Sequence, residues 1–436
     1  MQRRSSVGVL LFILILDLMG FTLIFPLVPD LLAFYVHSTP HAIDSYLPSL
    51  IQTLLQFAPG IGTGEEREII LLGGILASVY ALLQFFLSPF WGRLSDRIGR
   101  RPVLLLTSSG LAFAYLLWGF STTFTLFLIS RVVAGVMAGN LGVATAAMAD
   151  LSTEEGRTKS MGLVGAAFGV GFIVGPALGG ALSKLDLSGL PFAYHPFSAA
   201  AFVSVALSLL SAVLNYFFLQ ETLPEHLRSK GPLRIEYPFR VLSELKEPTF
   251  RRMLALNFAF MFLFTSFEFT VTFFYKIDFG LMPSQIGLVF FYLGLLLALG
   301  QGVLVRRLSG IISEQRMIVA GVILIAFALP LLALSSPSVP LSLLALAPVA
   351  IGSSLLQPAM AGLASRSISA DRQGLAMGSF RSMGSLARGV GPIFGSYVYG
   401  SAGITVTYIV IGALLLVSFA VGAGTLRQAQ SEASRT

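Results

Sequence analysis

Five ionisable residues, Asp17, Arg131, Glu268, Arg381 and Arg388, stand in stretches that are otherwise almost wholly apolar. A charge placed in hydrocarbon costs several kcal/mol on most scales, so such groups persist where they pair, carry protons or hold a charged ligand. Asp17 lies about 15 Å along the first apolar run if that run is helical, near the middle of a bilayer. A carboxyl group there suits proton uptake and release. Arg131 opens the pattern R-x-x-x-G, with Gly135, Gly139 and Gly142 stacked behind it. Arg381 and Arg388 share one helix face with Ser385 between them, separated by about 10 Å along the axis. Arginine stays protonated and grips a carboxylate with two parallel hydrogen bonds, so this pair reads as an anion site. Glu268 reads either as part of that site or as its internal counter-charge. For each of the five, the competing reading is a satisfied structural pair or a snorkelling chain. Gln84, Asn140 and Gln357, with Gln301 and Asn257, either line a cavity or act as interhelical glue.

Other chemistry is poorly represented. His37 and His41 have the spacing of a helical metal pair, but no third ligand is near and Pro40 disfavours a helix, so no metal is expected. With four histidines and no cysteine there is no catalytic triad, phosphate-binding loop or thiolate site, and neither an enzyme, a resident cofactor nor an ATP-driven pump is indicated.

The elements that must position these charges are membrane helices. The chain of 436 residues is 55% hydrophobic, and its mean hydropathy is +0.83. A net charge of +7 would suit a nucleic-acid binder, but its placement argues against one. Of 28 Lys and Arg, 22 fall in segments on the side of one basic turn, three on the other side and three inside spans. That asymmetry is the positive-inside rule, so the basicity records topology. The first apolar run continues past signal-peptide length without a clear cleavage site and is kept as a helix. Spans are predicted at 7–34, 68–91, 103–121, 124–149, 159–183, 193–219, 253–276, 284–305, 316–335, 341–364, 373–399 and 403–426. Residues 37–67 form an outer segment whose Ile43, Leu47, Leu50, Ile51, Leu54 and Leu55 fit a short interfacial helix. The expected organisation is an N-terminal six-helix bundle over 1–219, a cytoplasmic linker over 220–252, a second bundle over 253–426 and a cytoplasmic tail over 427–436.

The halves repeat. A shift of 216 residues lays Gly175-Pro176 on Gly391-Pro392 and Gly179 on Gly395, and a weaker echo lays Arg93-Leu94-Ser95 on Arg307-Leu308-Ser309. A duplicated helical unit is the architecture of many secondary transporters.

The basic turn, Gly92 to Pro102, reads GRLSDRIGRRP. Gly92 and Gly99 are expected to let the chain turn tightly, Asp96 to cap a helix or hold an arginine, and Pro102 to sit in the first turn of the next helix. Gly92, Asp96, Arg97, Gly99 and Arg100 resemble the signature of the major facilitator superfamily. Gly171, Gly175, Pro176, Gly179 and Gly180 resemble that superfamily's antiporter motif; ordinary small-residue helix packing is the simpler account, and packing is how such a motif acts. The setting of Asp17, with Gly20, Pro26 and Pro29, resembles the first helix of tetracycline-type antiporters. Arg131 resembles the helix-4 arginine associated with proton coupling, with Ala134 where glutamine is usual. Over nearly the whole chain the sequence is similar to eukaryotic tetracycline-transporter-like members described as organic-anion transporters. Long first outer loop, ADLSTEEGR, LQETLPE and GSFRSMGSLARGVGP all carry the likeness.

That resemblance implies an all-α membrane protein that exchanges organic anions or amphipathic drugs, driven by protons through Asp17 and Arg131. Its other partners would be lipid, with no nucleic acid, and it would act as a monomer. An uncoupled uniporter, in which Asp17 is only structural, and a non-transporting scaffold or receptor are the alternatives. Five costly intramembrane charges favour transport. With both termini inside and residues 37–67 outside, an impermeant thiol reagent added to intact cells should label Ser45→Cys and leave Ser229→Cys untouched; the reverse pattern would invert the topology.

Overall fold

The computed structural model describes residues 2–37, 42–60, 64–152, 157–191, 195–229, 247–368 and 373–433. His41, residues 153–156 of the ADLSTEEGR stretch and the linker centre 230–246 lie outside the described residues. The ordered elements among those described are helices: α1 (Gln2–Thr22), α2 (Val28–His37), α3 (Leu47–Phe57), α4 (Gly64–Ile98), α5 (Arg100–Gly119), α6 (Phe124–Met137), α7 (Asn140–Asp150), α8 (Arg157–Leu182), α9 (Ser198–Phe218), α10 (Pro248–Ile277), α11 (Pro283–Leu299), α12 (Glu314–Ala333), α13 (Val339–Arg366), α14 (Gln373–Val421) and α15 (Ala423–Ala433). Eleven of the resulting segments are long and apolar enough to span a bilayer. The longest, within α14, contains the non-helical residue Gly403, so it comprises two of the expected spans and the total is twelve. The protein is an all-α, multi-pass membrane protein.

Local sequence explains the breaks. Pro26 and Pro29 divide the first span into α1, a 3-10 turn at Phe25–Leu27 and α2, since proline cannot donate to the preceding turn. Thr123 caps α6 by accepting the Leu126 N–H at 3.2 Å, and Ser313 caps α12 by accepting that of Arg316 at 3.4 Å. From the segment between α2 and α3, Asp44 adds a second cap to α6, accepting the N–H groups of Phe124 (2.9 Å) and Thr125 (3.0 Å). Past α11 the helix widens into a π turn over Gly300–Val305.

The basic turn is tighter than expected. Gly92 to Ile98 belong to α4, and Gly99 alone, at φ +106°, separates α4 from α5. Gly92 therefore makes no turn and has open space where a Cβ would stand. At Gly99 the left-handed backbone and the adjacent Glu221 carboxylate both exclude a side chain. Glu221 sits at the start of α5, where its Oε1 accepts the Arg100 N–H at 2.8 Å and its Oε2 that of Arg101 at 3.3 Å. Arg100 is buried, pairing with Asp96 (2.6 Å) and Asp150 (3.0 Å) and donating to Ser95 Oγ. Arg97, by contrast, is exposed.

Contacts divide the chain into two compact units. One comprises Met1–Pro48, Leu83–Ile235 and Met282–Tyr292; the other comprises Ser49–Leu82, Glu236–Leu281 and Leu293–Thr436. Inside the first, α8 lies against α1 with no room for side chains: a Cβ on Gly175 would collide with Thr22 Oγ1 and stand 2.9 Å from the Met19 carbonyl oxygen. Inside the second, α14 lies on α10 in the same way, Gly391 facing Thr265 and the Phe262 carbonyl. A hydroxyl locks each crossing, Thr22 donating to Gly171 O at 3.0 Å and Ser266 to Gly391 O at 2.8 Å. Pro176 and Pro392 lie within their helices.

Removing the Glu221 carboxylate leaves two helix-terminal N–H groups without their acceptor. Glu221→Ala should cost about 1–2 kcal/mol, read as a lower midpoint in thermal unfolding of the detergent-solubilised protein, while Glu221→Gln should retain part of it.

Candidate functional site

In the first unit the site is built around an interruption of the predicted fourth span. α6 ends at Met137 and α7 begins at Asn140. Ala138 N donates to Gly135 O and Gly139 N to Met137 O, a tightened turn that releases the Val136 and Ala138 carbonyls from regular pairing. Two side chains of α4 take them up: Trp91 Nε1 donates to Val136 O at 2.6 Å, and Gln84 Nε2 to Ala138 O at 3.2 Å. A Cβ on Gly139 would collide with the Trp91 ring. The break sets Asn140 at the head of α7, where its Nδ2 donates to Asp17 Oδ2 at 2.7 Å. Asp17 is buried, and its Oδ1 has no hydrogen-bond partner. Asp17 and Asn140 are thus brought together, while Gln84 serves the backbone break.

Arg131 is buried in the same unit inside an aromatic box. Its guanidinium carbon lies 5.1 Å from the Trp118 ring centre, 5.5 Å from Phe127 and 5.6 Å from Tyr115. Cation–π attraction of this kind strengthens when the cation is desolvated. Tyr35 stacks on Phe127, and His195 on Trp118. His195 accepts the Phe197 N–H at Nδ1, so its Nε2 carries the proton and donates to Trp118 O at 2.9 Å. Tyr115 lies within electrostatic reach of both Arg131 and Asp17.

In the second unit Arg381 and Arg388 both lie on α14, each with side-chain surface that the protein leaves uncovered. Ser385 joins them, donating to Arg381 O at 3.1 Å and accepting from Arg388 Nη2 at 2.9 Å. Glu268 on α10 is within electrostatic reach of Arg388, but no direct ion pair joins them. Asn257 stands on α10 and Gln357 on α13. Asn257 Nδ2 donates to Phe380 O at 2.9 Å, tying α10 to α14, and Gln357 touches the Met261 sulfur at 3.5 Å. Gln301 is exposed on the π turn.

Sequence patterns gave no notice of the aromatic box, of Trp91 and Gln84 as carbonyl caps, or of Asp278. Asp278, just beyond α10, accepts the Tyr399 hydroxyl at 2.7 Å near Glu66. The aromatics look like ordinary core until Arg131 is seen among them. Among the described residues no group of histidine, cysteine and carboxylate side chains could hold a metal ion.

A helical bundle with a broken span, buried charges and a glycine-locked repeat defines a membrane transporter of the secondary type. The chain belongs to the Major Facilitator Superfamily, whose model matches residues 10–313 and 271–436. It is 32% identical over 441 residues to major facilitator superfamily domain-containing protein 10 of Homo sapiens, covering 96% of this chain and 92% of that protein. It is 29% identical to the class C tetracycline resistance protein of Escherichia coli, with 96% of each covered. The crystal structure of the human organic anion transporter MFSD10 (TETRAN) superposes with a TM-score of 0.75 at 28% identity, covering 97% of this chain and 99% of that one.

Asp278 supplies a pH test outside the spans. Burial, first, and the neighbouring Glu66 raise its carboxyl above the usual range, against the Tyr399 hydrogen bond. A carboxyl raised in the folded state contributes stability that is present at low pH and lost as pH rises through its folded value. Asp278→Asn should therefore be more stable than the wild type near neutral pH, with the difference in thermal midpoint vanishing in acid. A difference independent of pH would show that Asp278 does not titrate in this way.

Proposed function

We propose that this protein is a secondary active transporter of organic anions or amphipathic drugs, working by alternating access with proton antiport as the driving reaction. The observation that carries the substrate class is the Arg381–Ser385–Arg388 row: two cations on one face of a span, joined through Ser385 and without a direct ion-pair partner among the described residues. The two sites along α14 would hold an anion in turn, gripping a carboxylate or similar group through parallel N–H bonds. Glu268 would answer Arg388 when no substrate is present.

Coupling is assigned to Asp17, with Arg131 in support. A buried carboxyl that accepts from Asn140 on one oxygen and has the Ser211 hydroxyl beside it can hold a proton without dismantling the packing around it. The glycine-locked crossings α1–α8 and α10–α14 would move as rigid pairs, and the Asp96–Arg100–Asp150 cluster would be made and broken as access alternates. The two six-helix halves, the cytoplasmic placement of both termini and a monomeric state complete the reading. The names of the similar proteins support an organic anion or a tetracycline-like drug as cargo.

Purified protein in liposomes, offered labelled organic anions, cations and neutral compounds with and without a pH gradient, tests this reading. Arg381→Gln and Arg388→Gln should each reduce anion uptake by about ten-fold or more, as expected for loss of a charged hydrogen bond, and spare neutral or cationic cargo. Asp17→Asn should abolish pH-driven accumulation while exchange at equal pH persists. Native anion rates in both arginine variants would make those residues structural. Undiminished gradient-driven uptake in Asp17→Asn would leave an uncoupled uniporter.

A further inference from the structure

One face of α9 is polar throughout. Ser204, Ser208, Ser211 and Asn215 follow at intervals of four, three and four residues, so they form one stripe down the helix, and each is fully buried. The stripe spans about 16 Å of helix axis. At its upper end Ser204 donates to Gly20 O on α1 at 3.3 Å. Ser211 lies beside the Asp17 carboxylate and within 3.3 Å of Ser108 Oγ on α5. At its lower end Asn215 Nδ2 donates to Arg101 O at 3.3 Å, at the end of the bundle that carries the basic turn. Arg101 there donates to Tyr216 O and lies over the Tyr216 ring.

Such a stripe would be ordinary helix-packing glue if every polar atom on it were satisfied. They are not. Asp17 Oδ1, Ser208 Oγ and Asn215 Oδ1 are each buried without a hydrogen-bond partner. Three unpartnered oxygens along one seam are out of keeping with the rule that buried polar groups are bonded, and ordered water is what ordinarily satisfies them. The seam also reaches Asp17 from a different helix than its other contact. Oδ2 is taken by Asn140 at the break between α6 and α7, and the serine stripe comes from α9.

We infer that the seam of α9 against α1 and α5 is a proton path from Asp17 to the Arg101 end of the bundle, separate from the approach through Asn140. The inference rests on the proposed role of Asp17 in coupling. In the path a proton leaves Asp17 Oδ1 for Ser211 Oγ or for a water held beside it. The receiving oxygen releases its own proton to the next, Ser108 Oγ or a further water, until one is delivered to bulk water beside Arg101. Each hydroxyl or water gains one proton and loses one, and Asp17 is left as the carboxylate. Water is the co-reactant that closes gaps too long for direct contact. Asn215 is not protonated; its Oδ1 orients the last water. The charged and titratable groups around the seam are Tyr115 and Arg131 above it, and at its mouth Arg100, Arg101 and Tyr216 with the Glu221 carboxylate on the Arg100 and Arg101 N–H groups and Asp96 and Asp150 on the Arg100 side chain. The mouth cations would repel an excess proton toward bulk water.

The test is time-resolved infrared spectroscopy of the full-length protein in liposomes after a pH jump, following the carboxylic-acid band that Asp17→Asn removes. The double variant S208A/S211A should slow that band by about ten-fold or more, while Ser211→Thr, which keeps a hydroxyl, should stay close to the wild type. If the double variant elutes poorly in size exclusion, Ser211→Val against Ser211→Thr carries the same comparison. Equal rates in the hydroxyl-free and hydroxyl-bearing variants would overturn the path. Gradient-driven uptake of tetracycline and p-aminohippurate separates the two levels. If Asp17→Asn abolishes it and S208A/S211A leaves both uptake and band at native rates, the path falls and the coupling reading stands. If Asp17→Asn keeps full uptake, the coupling reading falls, and with it the role given to this seam.

Discussion

In hydrocarbon no water is at hand to satisfy a polar group, so every charge and every released backbone carbonyl in a span must find its partner within the protein. This constraint orders the rest of the structure. It explains why the interruption at Ala138–Gly139 is met by Trp91 and Gln84 from α4, and why the Arg131 cation is surrounded by three aromatic faces. It also makes the accessible Arg381 and Arg388 stand out. Among the described residues neither of them has a direct ion-pair partner, and Ser385 is what joins the two.

Much of the fold is written plainly in the sequence because the signals are long and redundant. Twelve apolar runs, a strong Lys and Arg asymmetry and the doubled Gly-Pro register each point to the same architecture, and the family membership agrees. Boundaries were less legible. The basic turn reads as a loop because its glycines and arginines suit one, yet α4 runs through Ile98 and Gly99 alone makes the turn. Its neighbour Glu221 is more than a hundred residues away in sequence, so the capping of α5 has no local signature. The division at Gly403, by contrast, agrees with the two spans read from the sequence at 373–399 and 403–426.

Individual ionisable residues were easy to find, since a charge among apolar neighbours is conspicuous. Their partners were not. Asn140 could equally have been interhelical glue until its amide is found on Asp17. Tyr115, Trp118 and Phe127 carry no mark distinguishing a cation box from an ordinary core. The serine stripe of α9 does have helical spacing, but serine is common in membrane helices. What separates it from packing glue is the unpartnered oxygens along the seam, which only coordinates reveal.

The repeat preserves packing more faithfully than charge. Thr22 and Ser266 lock equivalent crossings, whereas Asp17 and Arg131 have no counterparts in the second half, and Arg381 and Arg388 none in the first. Duplication kept the mechanics and left the chemistry to diverge. The tryptophans share in this asymmetry. The chain has only two; Trp91 closes the broken span, and Trp118 forms a wall of the Arg131 box. All indole emission of the native protein therefore originates within one unit, on the two features that any change of state there must disturb, and the molecule carries its own optical reporter without a label.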